Sequence, residues 1–130
     1  MIGLSVAEGV QVRGALSGLK ATAVMSSVFV LHPDATVPPK VVTDNVFRAL
    51  GLRPISGAWL PAHFAFGMTL GALRARVGAP RIAFALAVWA GGYATSLPAL
   101  GLYPSLARDH GRRAAASLVS HLVFGAALRD

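Results

Sequence analysis

Residues 82–107 read IAFALAVWAGGYATSLPALGLYPSLA, a run without a single Asp, Glu, Lys or Arg. A second uncharged run, PISGAWLPAHFAFGMTLGAL, occupies 54–73. Crossing the roughly 30 Å hydrocarbon core of a bilayer takes about 20 apolar residues in helical form, and both runs reach that length. Hydrocarbon offers no partner to a free N–H or C=O, so a spanning segment must satisfy its own backbone, and a chain rich in Ala, Leu and Gly does so as helix. The alternation of polar and apolar residues that marks a barrel strand is absent.

Outward from these two runs, the rest of the chain has the same character. Of 130 residues, 55% are hydrophobic and 13% charged, far from the mixture in an ordinary soluble domain. A first span is read over 10–31, interrupted by Arg13 and Lys20. These lie seven residues apart on nearly the same helical face, and their long stems can carry the charge toward the headgroups. His32, Pro33 and Asp34 stop that helix. The other spans are read over 57–73, 82–103 and 114–128. Between the first two, Val42, Val46, Phe47 and Leu50 recur at helical spacing, which predicts a short interfacial helix opening at a Thr43 cap and closing at Gly51.

The expected architecture is therefore all-α: one domain, a four-helix integral membrane bundle. His63, Phe66 and Gly67 (HxxFG) in the second span recur as His121, Phe124 and Gly125 in the fourth. Gly18, Ala21 and Thr22 (GxxAT) in the first recur as Gly91, Ala94 and Thr95 in the third. Two motifs repeated in one order point to an internal duplication of halves 1–73 and 82–130. Each half has two crossings, so the hairpins form a parallel repeat about an axis along the membrane normal. Gly14 with Gly18 and Gly67 with Gly71 are GxxxG pairs that let backbones approach; Gly91 and Gly125 extend the small-residue set. The neighbours they meet are expected within the chain, with a homo-oligomer or larger membrane complex as the alternative. Pro98 should disturb the third helix near Ala94 and Thr95.

These motifs, with Pro33 and Pro104 closing the odd-numbered helices, resemble the YagU-like small inner-membrane proteins. The resemblance implies a multi-pass protein of the bacterial cytoplasmic membrane and no particular activity.

Twelve basic residues against five acids give a net charge of +7. They cluster beside the apolar runs, as with Arg74, Arg76 and Arg81, so anionic lipid headgroups rather than nucleic acid are the expected partners. Six Lys or Arg fall on each side, leaving the positive-inside rule without bias. The densely basic loop between the second and third spans points to both termini inside. There is no cysteine and hence no thiol chemistry. The first fifteen residues carry Glu8 and no basic n-region, unlike a cleaved signal peptide.

The candidate site is an intramembrane polar layer. His63 stands six residues into the second span and His121 seven into the fourth, about 9–11 Å below one face at 1.5 Å per residue. Thr22 and Thr95 fall about 12–14 Å below the same face by the same rise. The leading expectation is structural: each imidazole bonds a Thr hydroxyl or a backbone carbonyl in its own hairpin and fixes helix register, in a non-enzymatic accessory protein with no cofactor and no metal. A rival reading has His63 and His121 ligating a haem b iron or another metal, with Phe66 and Phe124 beside the macrocycle. A third is a small transporter, with Lys20 and Arg13 meeting an anionic substrate. No catalytic residue is assigned. There is no GxxxxGK[ST] loop, and no carboxylate to orient His121 beside Ser117 or Ser120. Zinc would need more ligands than two His provide. His32 and His110 read as solvated loop residues.

Overall fold

In a computed structural model that describes residues 5–31, 38–109 and 111–130, Ser5 opens the first helix, α1 (Val6–Val30). Its hydroxyl accepts from the Glu8 N–H at 3.3 Å, and the Glu8 carboxylate accepts from the Ser5 N–H at 2.7 Å. This reciprocal capping box satisfies two of the donors a helix leaves open at its start. The His32 to Asp34 stop, Pro33 and His110 lie outside the described residues.

α2 (Pro38–Ala49) starts earlier than its sequence pattern implies. Proline costs nothing in a first turn, whose N–H groups have no helical acceptor, so Pro38 and Pro39 open the helix. Thr43 is accordingly a mid-helix residue and not the cap; its hydroxyl donates to the Pro39 carbonyl at 2.7 Å. Lys40 and Asp44 pair along the exposed side at 2.7 Å. α3 (Trp59–Val77) ends at Gly78, which turns the chain at φ +64°. α4 (Arg81–Ala99) follows after two residues, and α5 (Gly111–Ala127) completes the chain. Every described element is helical. α4 is the one helix among the described residues that is both long and apolar enough to cross a membrane by length and composition.

α4 is irregular in the middle. Arg81–Val88 is α-helical, Trp89–Ser96 is π-helical, and Leu97–Ala99 is a last α turn. Pro98 has no N–H to give to the carbonyl one turn back, and the coil ahead of it widens to the i→i+5 pattern. Thr95 and Ser96 follow that wider pitch, donating their hydroxyls to the carbonyls of Ala90 and Gly91, five residues back. The helix expected to run to Tyr103 stops at Ala99, and Gly101 turns the chain at φ +68°.

α1 is the central element, packed against α3 on one side and α5 on the other, with α4 on the far side of α5. α1 and α3 run antiparallel with almost no side chain between them. A Cβ on Gly14 would lie 2.6 Å from both Ala75 Cβ and the Gly71 carbonyl, and one on Gly71 would lie 2.7 Å from Gly18 Cα. One on Gly18 would strike the Gly67 carbonyl, and one on Gly67 the Thr22 side chain. At α4 and α5 a Cβ on Gly125 would come within 2.8 Å of Ala85 Cβ. Ala21, Met25, Phe29, Ala85, Phe124 and Leu128 form the buried core between these contacts.

Both ends of the bundle are tied by polar groups. At one end cations meet backbone carbonyls just past the end of α5 and in the turn between α3 and α4, which have no helical donor. Arg81 donates to the Leu128 carbonyl at 2.7 Å, and Arg74 to those of Ala79 at 3.0 Å and Arg129 at 3.4 Å. Arg74 also pairs with Asp130 at 2.5 Å and holds its carboxyl below the ordinary carboxylate range. The Ser17 hydroxyl accepts from the Arg129 N–H at 2.6 Å, knitting α1 into the same cluster. At the other end the Asn45 amide donates to the Leu102 carbonyl at 2.9 Å, joining α2 to the segment after α4.

The glycine contact makes a selective prediction. Gly71→Ala overpacks the α1–α3 seam and is expected to cost about 1–3 kcal/mol. Gly91, around which a Cβ would meet open space, should accept Ala without loss. Thermal unfolding of the two variants in detergent, followed by circular dichroism, decides; equal melting temperatures would contradict the contact.

Candidate functional site

α3 and α4 are not packed along their lengths. Between them, backed by α1 and α5, lies a cavity of about 270 Å³. Its position follows from the packing: the glycines draw α3 onto α1, while Ala85 and Gly125 draw α4 onto α5, so the two outer helices stay apart. Pro38, Pro39 and Val42 of α2 cover one end. Most of the wall is apolar, with Phe29, Leu70, Val88 and Phe124 among the lining residues.

Thr22, His63 and His121, three members of the expected polar layer, reach this cavity. The fourth, Thr95, does not: it is exposed on α4, its hydroxyl bonded back to Ala90. Gly91 is exposed as well and takes no part in helix packing. The two GxxAT segments thus occupy different settings, because Gly18 and Thr22 face the α3 backbone whereas Gly91 and Thr95 face outward. A π-helical stretch takes more residues per turn, so an α-helical projection misplaces the side chains after Trp89. Tyr93, not Thr95, is the buried residue of the π-helical stretch.

Of the two partners expected for each imidazole, a Thr hydroxyl or a backbone carbonyl, His121 meets a carbonyl and neither His meets a Thr. Thr22 donates to the Gly18 carbonyl of its own helix at 2.7 Å. His121 Nδ1 lies 2.8 Å from the Ser117 carbonyl, also in its own helix. A carbonyl can only accept, so Nδ1 carries the proton, and in the neutral ring Nε2 keeps its lone pair. His63 Nε2 is buried with no hydrogen-bond partner among the described residues. Its ring stands edge-on to Phe64, with centroids 6.1 Å apart.

Tyr93 adds a polar wall that no motif announces. Its hydroxyl donates to the Asp109 carboxylate, which is fully enclosed and paired with Arg113 Nε at 3.0 Å. Trp89 stacks on the Tyr93 ring at 5.9 Å, and Tyr103 tilts against it at 5.1 Å. A tyrosine inside an apolar run was the available signal, since its ring suits an apolar wall and its hydroxyl needs a partner. The pairing with Asp109 depends on the chain folding back after Gly101, which helical periodicity does not contain.

No Lys or Arg lines the cavity, and Lys20 is exposed on the outer side of α1. No group of three or more His, Cys, Asp or Glu is placed to hold a metal ion among the described residues. Pockets for drug-sized ligands begin near 300 Å³. A haem is a large ligand on that scale, so the cavity as it stands is too small for one unless α3 and α4 separate. Comparison with known proteins finds no family model that matches the chain, and no curated protein or solved structure that matches it. The resemblance to the YagU-like proteins therefore rests on the short motifs alone.

The unpartnered nitrogen predicts an unusual mutational response. Leaving a buried polar atom without a partner costs about 1–3 kcal/mol, so His63→Leu should preserve or raise the melting temperature of the ligand-free protein. A fall equivalent to that amount would show that His63 holds a bond in the folded state.

Proposed function

We propose that the chain is a multi-pass protein of the bacterial cytoplasmic membrane. In this reading α1, α3, α4 and α5 are the four crossings, α2 lies along the interface, and the protein is non-enzymatic, an accessory element of a membrane assembly. The observation that carries the reading is the distribution of apolar and charged surface. Leu16, Val24, Phe66, Leu86 and Val119, all well inside their helices, are 39–58% exposed. In water such an exterior is a liability; in hydrocarbon it is the required outer surface. Helices that are apolar on all sides suit a bilayer rather than a surface layer of a soluble domain.

Charge supports the same reading. Arg13, Arg74, Arg76, Arg81 and Arg129 gather toward the end where α5 finishes; Lys40, Arg48, Arg53, Arg108, Arg112 and Arg113 gather toward the other. Lys20 remains on the lipid-facing side of α1 and reaches the headgroups by its stem. The length of α3 agrees as well: at 1.5 Å per residue its 19 residues are about 28 Å long, close to the thickness of a bilayer core. Gly14, Gly18, Gly67 and Gly71 then act as helix contacts do in lipid, where close van der Waals approach replaces the hydrophobic drive of water.

The absence of native cysteine makes the topology directly measurable. Single cysteines at Leu52 and Leu106 should react with a membrane-impermeant maleimide from one side of the membrane, and one at Val77 from the other. Cysteines at Phe66 and Val119 should stay unlabelled. Reaction of the first three from the same side would rule out four crossings.

A further inference from the structure

We propose that the cavity between α3 and α4 binds a small, uncharged aromatic alcohol, of the size of a single-ring phenol or quinol headgroup. Size sets the first limit: at about 30 Å³ per water in the liquid, 270 Å³ holds on the order of nine waters, or one substituted ring. Wall chemistry sets the second. Phe29, Phe124, Met25 and Leu70 offer apolar and polarisable surface to a ring. With no Lys or Arg in the lining, an anion has no counter-charge. Among the described residues the carboxylate nearby, Asp109, is already engaged by Tyr93 and Arg113, so an ammonium finds none either.

Hydrogen bonding sets the third limit and is the most specific. His121 spends its Nδ1 proton on the Ser117 carbonyl, so its Nε2 can only accept. A ligand that satisfies it must bring a donor, and a hydroxyl is the smallest that suits an apolar cavity. His63 Nε2 is the second group in want of a partner. It serves as donor or acceptor according to its tautomer, so a ring carrying one or two oxygens satisfies both imidazoles. Leaving a buried ring nitrogen without a partner costs about 1–3 kcal/mol, and a bound hydroxyl at the cavity recovers it.

The route of entry rests on the membrane reading. Phe66 both lines the cavity and is 58% exposed, which makes it the lip of a lateral opening between α3 and α4. A phenol that partitions into a bilayer would arrive there from the side.

The test uses the full-length protein in detergent micelles with two matched probes, 4-ethylphenol and its methyl ether, which lacks the donor. Binding is measured by calorimetry and by the rise in melting temperature with probe concentration. The phenol should bind saturably and at least about tenfold more tightly than the ether. His121→Phe should abolish that preference while the protein still melts cooperatively, and His63→Leu should weaken phenol binding several-fold. Gly91→Ala, away from the cavity, should leave it unchanged. Equal binding of the two probes, indifference to both His substitutions, or no saturable binding by a cooperatively folded protein would each overturn the proposal. So would a Soret band in the purified protein that disappears in His63→Leu, since the pair would then hold a haem iron. Failure of the membrane reading is seen separately, as a protein that remains folded and monodisperse without detergent, in which the same titration can be run.

Discussion

The near-contact of the α1 and α3 backbones is the constraint on which the rest of the structure depends. Gly14, Gly18, Gly67 and Gly71 leave almost no side chain in the seam, so the two backbones lie closer than Cβ atoms at those four positions would allow. Thr22 sits over Gly67 and can be buried only because that glycine is there. On the other flank Ala85 and Gly125 fix α4 against α5. Two close pairs joined through α1 and α5 leave the outer helices without a mutual contact, and the cavity is the geometric remainder. The imidazoles reach it because His63 and His121 each stand one turn from the glycine of their own helix, on the face that glycine turns inward.

The polar groups divide into those consumed by the fold and those left over. Ser17, Arg74 and Arg81 satisfy carbonyls just past the end of α5, where a helix has none of its own donors to offer. Thr22, Ser26 and Ser120 return their protons to carbonyls of their own helices. Tyr93 closes on Asp109. Among the described residues the buried Trp89 Nε1 and Tyr103 hydroxyl lack a partner away from the cavity, and at the cavity itself one nitrogen on each of His63 and His121 is left over. In a protein whose surface is largely hydrocarbon-like, that residue of unsatisfied chemistry is the most specific feature available for recognising another molecule.

Much of this was legible in the chain itself. The long uncharged runs mark helices because period and length leave no other element, and the glycine pairs at four-residue spacing mark a seam whose partner is the facing helix. His63 and His121, the histidines of the two HxxFG stretches, both line the cavity. Three things were not legible. The π-helical stretch before Pro98 changes the phase of α4, so GxxAT has no equivalent role in its two copies, and Thr95 and Gly91 end up outside. The start of α2 is governed by Pro38 and Pro39, which tolerate a first turn better than the Thr43 pattern suggests. The Ser17–Arg129 and Tyr93–Asp109 bonds join residues distant in sequence, and no local spacing encodes them.

The protonation of His121 tests the site most directly. Nitrogen-15 labelling of the histidines, with long-range proton–nitrogen correlation on the protein in micelles near neutral pH, distinguishes the two ring nitrogens of each residue. The expected result is a neutral His121 ring protonated at Nδ1, with Nε2 at the shift of a bare, lone-pair nitrogen that moves when a phenol is added. A ring protonated at Nε2 would mean that the bond to Ser117 does not exist and that the cavity presents no acceptor there, which would contradict the site as described.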